Sequence, residues 1–333
     1  MKLSFSTKGW HNSSFDEFCD IAVDLGFGGI ELHNVNNRLF TDKDGAFHDY
    51  TAAATARRLY EKKLQIPCID VLCDIGAANK ADAAIEEFSK CVNIASNLNI
   101  PAIRVKAEKA VDANVAHATV ISFIEKALPV ATAKNITILI ETSGLFCKTA
   151  ELRNVLDQFA CDNLAALWNM SAAYFEGGES AEEIIKNLGA YIKHVHINDA
   201  EKTADGVEFC LIGEGELPIG DMMLALRSVN YDGFISLEWD PKWCEELDDM
   251  EIIFSQYVGY MKQYGDTSKN ERTFYYNKSH TGKFVWKKDL LIDLTFSQVL
   301  DTMVECFPDQ YAFKYPTLNY TRTYEQFRRD VDE

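Results

Sequence analysis

Short apolar runs recur along the first part of the chain, near Leu3–Ser6, Gly28–Leu32, Pro67–Leu72, Ala102–Val105, Ile136–Ile140, Leu164–Trp168, Ile192–Ile197 and Phe234–Leu237. Runs this short, rich in Ile, Leu and Val, predict buried strands. Between them apolar positions return with a period near 3.6, which predicts helices. Ser14 with Glu17 and Ser180 with Glu183 fit capping boxes, and Asp112 and Thr149 are placed as plain N-caps. Pro67 and Pro101 end the helical pattern before them, while Gly26, Gly189 and Gly233 stand where a C-cap is wanted between helix and strand. Eight strand–helix units call for a parallel sheet of the α/β class, and eight units within about 260 residues fit a (β/α)8 barrel. An open doubly wound sheet would carry a Gly-rich phosphate turn after its first strand, and Ser6–Trp10 (STKGW) is not one.

The repeat stops after Gln263. Residues 264–284 are polar and read as a linker. Residues 285–333 begin a new unit with a helix over Thr295–Cys306, a short hairpin-like pair and a second helix from Thr323. A piece of that length builds no core of its own.

Composition narrows the partners. Apolar residues make up 47% and charged residues 25% of 333, the profile of an ordinary globular chain. The net charge is −18, nearly all of it on residues 1–263. A surface so acidic repels phosphate backbones and argues against nucleic acid, although most of the carboxylates need only keep the protein solvated. The longest apolar runs are too short to cross a bilayer, which argues against a membrane role. Lys2 leads straight into a strand, with no signal or transit pattern, and nine scattered cysteines without CxxC pairs suit the reducing cytoplasm. The remaining partners are a small-molecule substrate and further copies of the chain as a homo-oligomer.

Four predicted strands end in Glu141, Asn169, His196 and Glu238. In a barrel all strand C-termini open on one face, so these four converge there, with Glu31, His33 and Lys106 joining the rim. A carboxylate, an amide oxygen, an imidazole and a second carboxylate form a mixed O/N set that suits Mn, Mg, Zn or Co. Glu141 and Glu238 come from strands separated by two others and can face each other across a substrate. A hydroxy-carbonyl compound bound between them would exchange its α-proton through an enediolate, giving isomerisation or epimerisation. Any single polar strand end is most simply a place where the barrel meets water; four together favour a site. His196, followed by Asn198 and Asp199, is assigned inward and His194 outward against a helix. Asp199 either orients a ligand or caps the loop after it. Lys106 and Lys202 are candidate anion binders, and Trp10, His11 and His33 a candidate sugar-stacking wall. Ile212–Glu216 (IGEGE) reads as a turn, since its glutamates would repel phosphate.

Residues 1–263 resemble the xylose isomerase-like barrel family of sugar isomerases and epimerases, through GFGGIELH, ILIETSG, YIKHVHINDA, LIGEGELPIG and YDGFISLEWD. The resemblance implies a divalent metal held by Glu141, Asn169, His196 and Glu238, with the two glutamates as acid/base pair. Two positions depart from the family pattern: Asn169 stands for an Asp and Ala172 for a His three residues on, so weaker metal binding and a missing substrate contact follow. A catalytically impaired barrel that only binds its ligand is the alternative, and a lyase or dehydratase using one glutamate as base is a further one. The related endonuclease branch needs many more histidines at the barrel mouth. Residues from about 285 resemble the start of the adenylate-forming (AMP-binding) ligase family, through FPDQYAF and TYEQF, without that family's nucleotide-binding motifs. The chain is thus expected to be the barrel half of a longer fusion with a covalently linked ligase domain.

Overall fold

The computed structural model describes residues 1–204, 206–244, 247–264, 272–274, 284–286, 295–315 and 320–332. Eight parallel strands build the first part: β1 (Lys2–Ser6), β2 (Gly29–Glu31), β3 (Ile69–Asp70), β4 (Ala102–Val105), β5 (Thr137–Glu141), β6 (Leu164–Asn169), β7 (Ile192–Ile197) and, after a hairpin of β8 (Asp199–Thr203) and β9 (Gly206–Cys210), β10 (Phe234–Leu237). Their order is β2-β1-β10-β7-β6-β5-β4-β3. Parallel bridges Gly29–Gln65 and Leu32–Ile69 join the two ends of that order, so the sheet closes on itself. This is the expected (β/α)8 barrel.

Helices α1 (Phe15–Leu25), α2 (Arg38–Thr41), α3 (Ala52–Lys62), α4 (Ala81–Leu98), α5 (Ala113–Ala133), α6 (Thr149–Phe159), α7 (Ala181–Leu188), α8 (Ile219–Ser228) and α9 (Met250–Met261) supply the connections. Both predicted capping boxes form, at Ser14–Glu17 and Ser180–Glu183, and Asp112 caps α5. Thr149 is instead the first residue of α6, with Lys148 at the cap, because the Thr149 hydroxyl is bonded to Glu179 at 2.7 Å. Gly233 is no C-cap, since α8 already ends at Ser228 with Val229 as its cap. The main core lies between sheet and helices; there Phe5 stacks on Phe254 at 4.2 Å and meets Phe27 edge-on at 4.9 Å. Burying one such ring contributes about 2–3 kcal/mol.

A separate small cluster of Cys68, Ala102, Leu139, Ala165 and Leu167 fills the barrel lumen. Because side chains alternate along a strand, the residues two positions on share that lumen and lie nearer the strand ends. They are Asp70, Arg104, Glu141 and Asn169, joined by Glu31, His196 and Glu238, and every one is buried. An apolar plug thus closes one end of the lumen and a polar layer opens at the other.

Among the described residues, no helix is long and apolar enough to cross a membrane. The predicted linker falls mostly outside the described residues. Within it lies β11 (Arg272–Phe274), paired with β12 (Phe284–Trp286) at its end; beyond come α10 (Phe296–Cys306), the hairpin β13 (Tyr311–Tyr315) with β14 (Tyr320–Thr323), and α11 (Tyr324–Asp332).

Candidate active site at the strand ends

The polar layer is organised around Arg104. Its Nε reaches Glu141 Oε2 and its Nη1 lies 2.9 Å from Asp70 Oδ2. Burial opposes the Arg104 charge, but Asp70, Glu141 and Glu238 outweigh it and hold the guanidinium charged. Burial pushes the Glu141 carboxyl up; the Arg104 charge more than reverses this, so its pKa falls below the usual range. Glu238 follows the same logic with another partner. Burial raises it, and Lys8, its Nζ 2.9 Å from Oε1, leads the charges that bring it below the ordinary value. Both glutamates therefore stand as carboxylates beside a fixed cation.

Asn169 takes a different part from that of an oxygen ligand. Its Nδ2 donates to Glu141 Oε1 at 2.7 Å, while its Oδ1 accepts from Ser171 Oγ at 3.2 Å and Ala172 N at 3.1 Å. Ala172 opens a π-turn, Ala172–Glu176, a distortion of the helical ladder common at functional sites.

The second focus is Glu31, fully buried on β2. His194 Nε2 lies 2.7 Å from its Oε2 and His196 Nε2 lies 2.8 Å from its Oε1. The outward assignment of His194 is thereby corrected: residues two apart on a strand share a face, so His194 points into the lumen with His196. The ligand atoms of Glu31, His194 and His196 lie within 4.8 Å of one another, all buried, and make a candidate metal centre. Burial lowers the His196 pKa but Glu31 overrides it and raises the value to about 9. Among the described residues, His196 Nδ1 is buried without a hydrogen-bond partner. An imidazole held through one nitrogen by a carboxylate, with the other nitrogen bare, is the arrangement of a metal-ligating histidine backed by its orienting acid.

The other predicted residues spread outward. His33 Nδ1 meets Asp70 Oδ2 at 2.7 Å and so joins the Arg104 cluster. Lys106 pairs with Glu108 at 2.6 Å, and Lys202 lies 5.9 Å from the Tyr174 ring centre on the hairpin β8–β9. Trp10 is buried against Phe254, while His11 is exposed. Asp199 caps its loop: Oδ2 accepts from Gly213 N at 2.8 Å and Gly215 N at 3.1 Å, and Oδ1 from Leu217 N at 3.1 Å. This bears out the turn read at Ile212–Glu216. A side chain at position 215 would collide with the Asp199 carboxylate and the Ala200 backbone, so Gly is required there. Reading strand ends alone missed Lys8, Asp70 and Arg104. Arg104 was visible as a charge inside an apolar run, AIRV, whose neighbours are all buried.

Over this layer, Phe209 of the hairpin stacks on Trp243 with ring centres 4.1 Å apart, and Lys8 Nζ lies 4.9 Å from the centre of the same indole.

The sequence profile of the xylose isomerase-like TIM barrel matches residues 19–253. The chain belongs to that family. Solved structures agree on the barrel. The probable 3-DHS dehydratase AsbF of Bacillus anthracis, involved in petrobactin synthesis, superposes with a TM-score of 0.67 at 20% identity over 79% of this chain and 99% of its own. The IOLI protein with a bound zinc atom gives 0.67 at 15% identity, over 80% of this chain and 100% of its own. D-psicose 3-epimerase, solved with D-fructose, gives 0.64 at 16% identity, over 79% and 99%. No curated protein matches in sequence. This xylose isomerase-like barrel therefore shares its architecture with epimerases and a dehydratase at identities that carry the fold alone.

Proposed function

We propose that this barrel is a metal-dependent isomerase or epimerase of a small sugar or sugar-like hydroxy-ketone, with Glu141 and Glu238 as the proton-transfer pair. The observation that carries the reading is that two buried glutamates, from strands separated by two others, are each held ionised by a chain cation at the same end of the lumen. Glu238 removes the proton beside the carbonyl, leaving an enediolate, with Arg104 as a buried, fixed positive charge nearby. Return of the proton to the neighbouring carbon is isomerisation. Delivery to the opposite face of a proton that Glu141 has taken from water is epimerisation, and Glu238 then releases the proton it removed to water. A divalent ion (Mn, Mg, Zn or Co) would be held by Glu31, His194 and His196, whose ligand atoms converge, or, as the resemblance implies, by His196 with Glu141 and Glu238; it would acidify the α-proton by drawing charge from the substrate oxygens. Asn169 supports Glu141 from outside that set, its own oxygen being occupied. Trp10, His33, Lys106 and Lys202 are proposed as the wall around the substrate, with His11 at its outer edge.

The test is proton exchange. Incubating the protein and Mn with a ketose panel in deuterated water should place deuterium on the carbon beside the carbonyl, and Glu238→Gln and Glu141→Gln should abolish this. No exchange from any sugar, with metal bound, sinks the reading; loss of water from the substrate would point to a lyase.

A second reading draws on the Asn169–Glu141 bond and on Ala172: a barrel that binds its sugar-like ligand without turnover. Calorimetric binding of a ketose that undergoes no exchange would favour it. For residues 285–333 we propose the opening of an adenylate-forming ligase-like unit, supported by FPDQYAF and TYEQF; a longer chain with ATP–pyrophosphate exchange activity would test it.

A further inference from the structure

We propose that the opposite mouth of the barrel, at the strand N-termini, is a second ligand site, for an aliphatic carboxylate. A cavity of about 700 Å³ lies there, lined by the starts of β4, β5 and β10 and the last turns of α3 and α4. That is the size of a small-molecule site. Its wall is apolar, with Leu59, Leu64, Leu98, Leu139 and Phe234. Its charge is the telling feature. The chain carries 51 Asp and Glu against 33 Lys and Arg, yet among the described residues no acidic one lines this cavity, while Lys63 and Lys193 do. Lys2 stands beside them, its Nζ 3.4 Å from the side-chain oxygen of Gln65 in the lining. On so acidic a protein this is a basic rim around a largely apolar interior, complementary to a negative head and a hydrocarbon tail.

One lining residue is a buried ionisable group. His194, 2% exposed, borders the cavity and has its Nε2 2.7 Å from Glu31 Oε2. The carboxylate takes the lysines at the rim, the tail runs along the leucines, and His194 marks the inner end. The site uses none of the residues proposed for proton transfer.

The experiment is displacement of anilinonaphthalene sulfonate from the 333-residue protein by decanoate and by decanol. Decanoate should displace the dye, with decanol on the order of tenfold weaker, and added salt should narrow the gap. Lys63→Glu with Lys193→Glu should weaken decanoate about tenfold, and Lys63→Gln with Lys193→Gln less, each with an unchanged circular dichroism spectrum. Decanoate should also shift the His194 imidazole resonances. Equal displacement by decanol, wild-type affinity in a folded double variant, or binding that leaves His194 unmoved each overturns the proposal.

Discussion

The side-chain amide of Asn169 donates to Glu141 Oε1 at 2.7 Å, so this strand end offers its neighbour a donor that fixes the carboxylate. Asn169→Asp would set two carboxylates at hydrogen-bond distance. In the presence of chelator this should destabilise the barrel by about 1–3 kcal/mol in urea unfolding. With Mn or Zn added the loss should reverse and metal affinity should exceed that of the parent. A variant indifferent to both chelator and metal would mean that the ion does not bind beside Glu141.

Metal uptake should follow the protonation of His196. With its pKa raised to about 9, binding through this imidazole displaces a proton, and apparent affinity should rise about tenfold per pH unit between pH 7 and 9. Chelator competition measures the slope. His194→Asn separates the two placements of the ion: it leaves a site on His196 Nδ1 largely intact but removes a ligand from the Glu31–His194–His196 centre. A flat pH response would exclude His196 as ligand.

The metal-free protein should be pH-sensitive in both directions. Glu141 and Glu238 have lowered folded values, so their stabilisation is present above about 4.5 and is lost as pH falls through those values. His196 has a raised value, so its share is complete below about 6.5 and disappears as pH rises through 9. The thermal midpoint in chelator should therefore decline on the alkaline side, and Glu31→Gln, which removes the charge behind His196, should flatten that limb.

Arg104 is the buried cation that Asp70 and Glu141 share in the lumen. Arg104→Met leaves Asp70 and Glu141 buried without their cation and should cost about 3–5 kcal/mol in denaturant unfolding. Adding Asp70→Asn and Glu141→Gln should recover much of it. Failure to recover would show that the guanidinium acts by packing rather than by charge.

Asp199→Ala should loosen the Ile212–Glu216 turn, since four backbone amides lose their acceptor. The amides of Gly213, Gly215 and Leu217 should gain fast hydrogen exchange, with about 2 kcal/mol lost in global stability. Unchanged exchange would mean that the turn holds without Asp199.

The barrel was legible because eight apolar runs and their capping residues repeat a local rule many times, and an error at Thr149 or Gly233 leaves the topology intact. The polar layer was legible only where a residue ends a run. Glu141, Asn169, His196 and Glu238 could be read in that way. Arg104 sits inside its strand and Lys8 beyond one, so both escaped. Their importance comes from partners 37 and 230 positions away, a relation no local pattern encodes. His194 was misassigned through the strand alternation itself, and the pairing of both histidines with Glu31 depends on barrel closure, which brings β2 against β7 across the lumen.

The stack of Phe209 on Trp243 reaches further than the roof it forms. The same indole shelters Lys8, and Lys8 neutralises Glu238. Three contacts thus run in series, ring on ring, cation on ring and cation on carboxylate, so the outermost hairpin of the barrel and the buried Glu238 are neighbours at two removes.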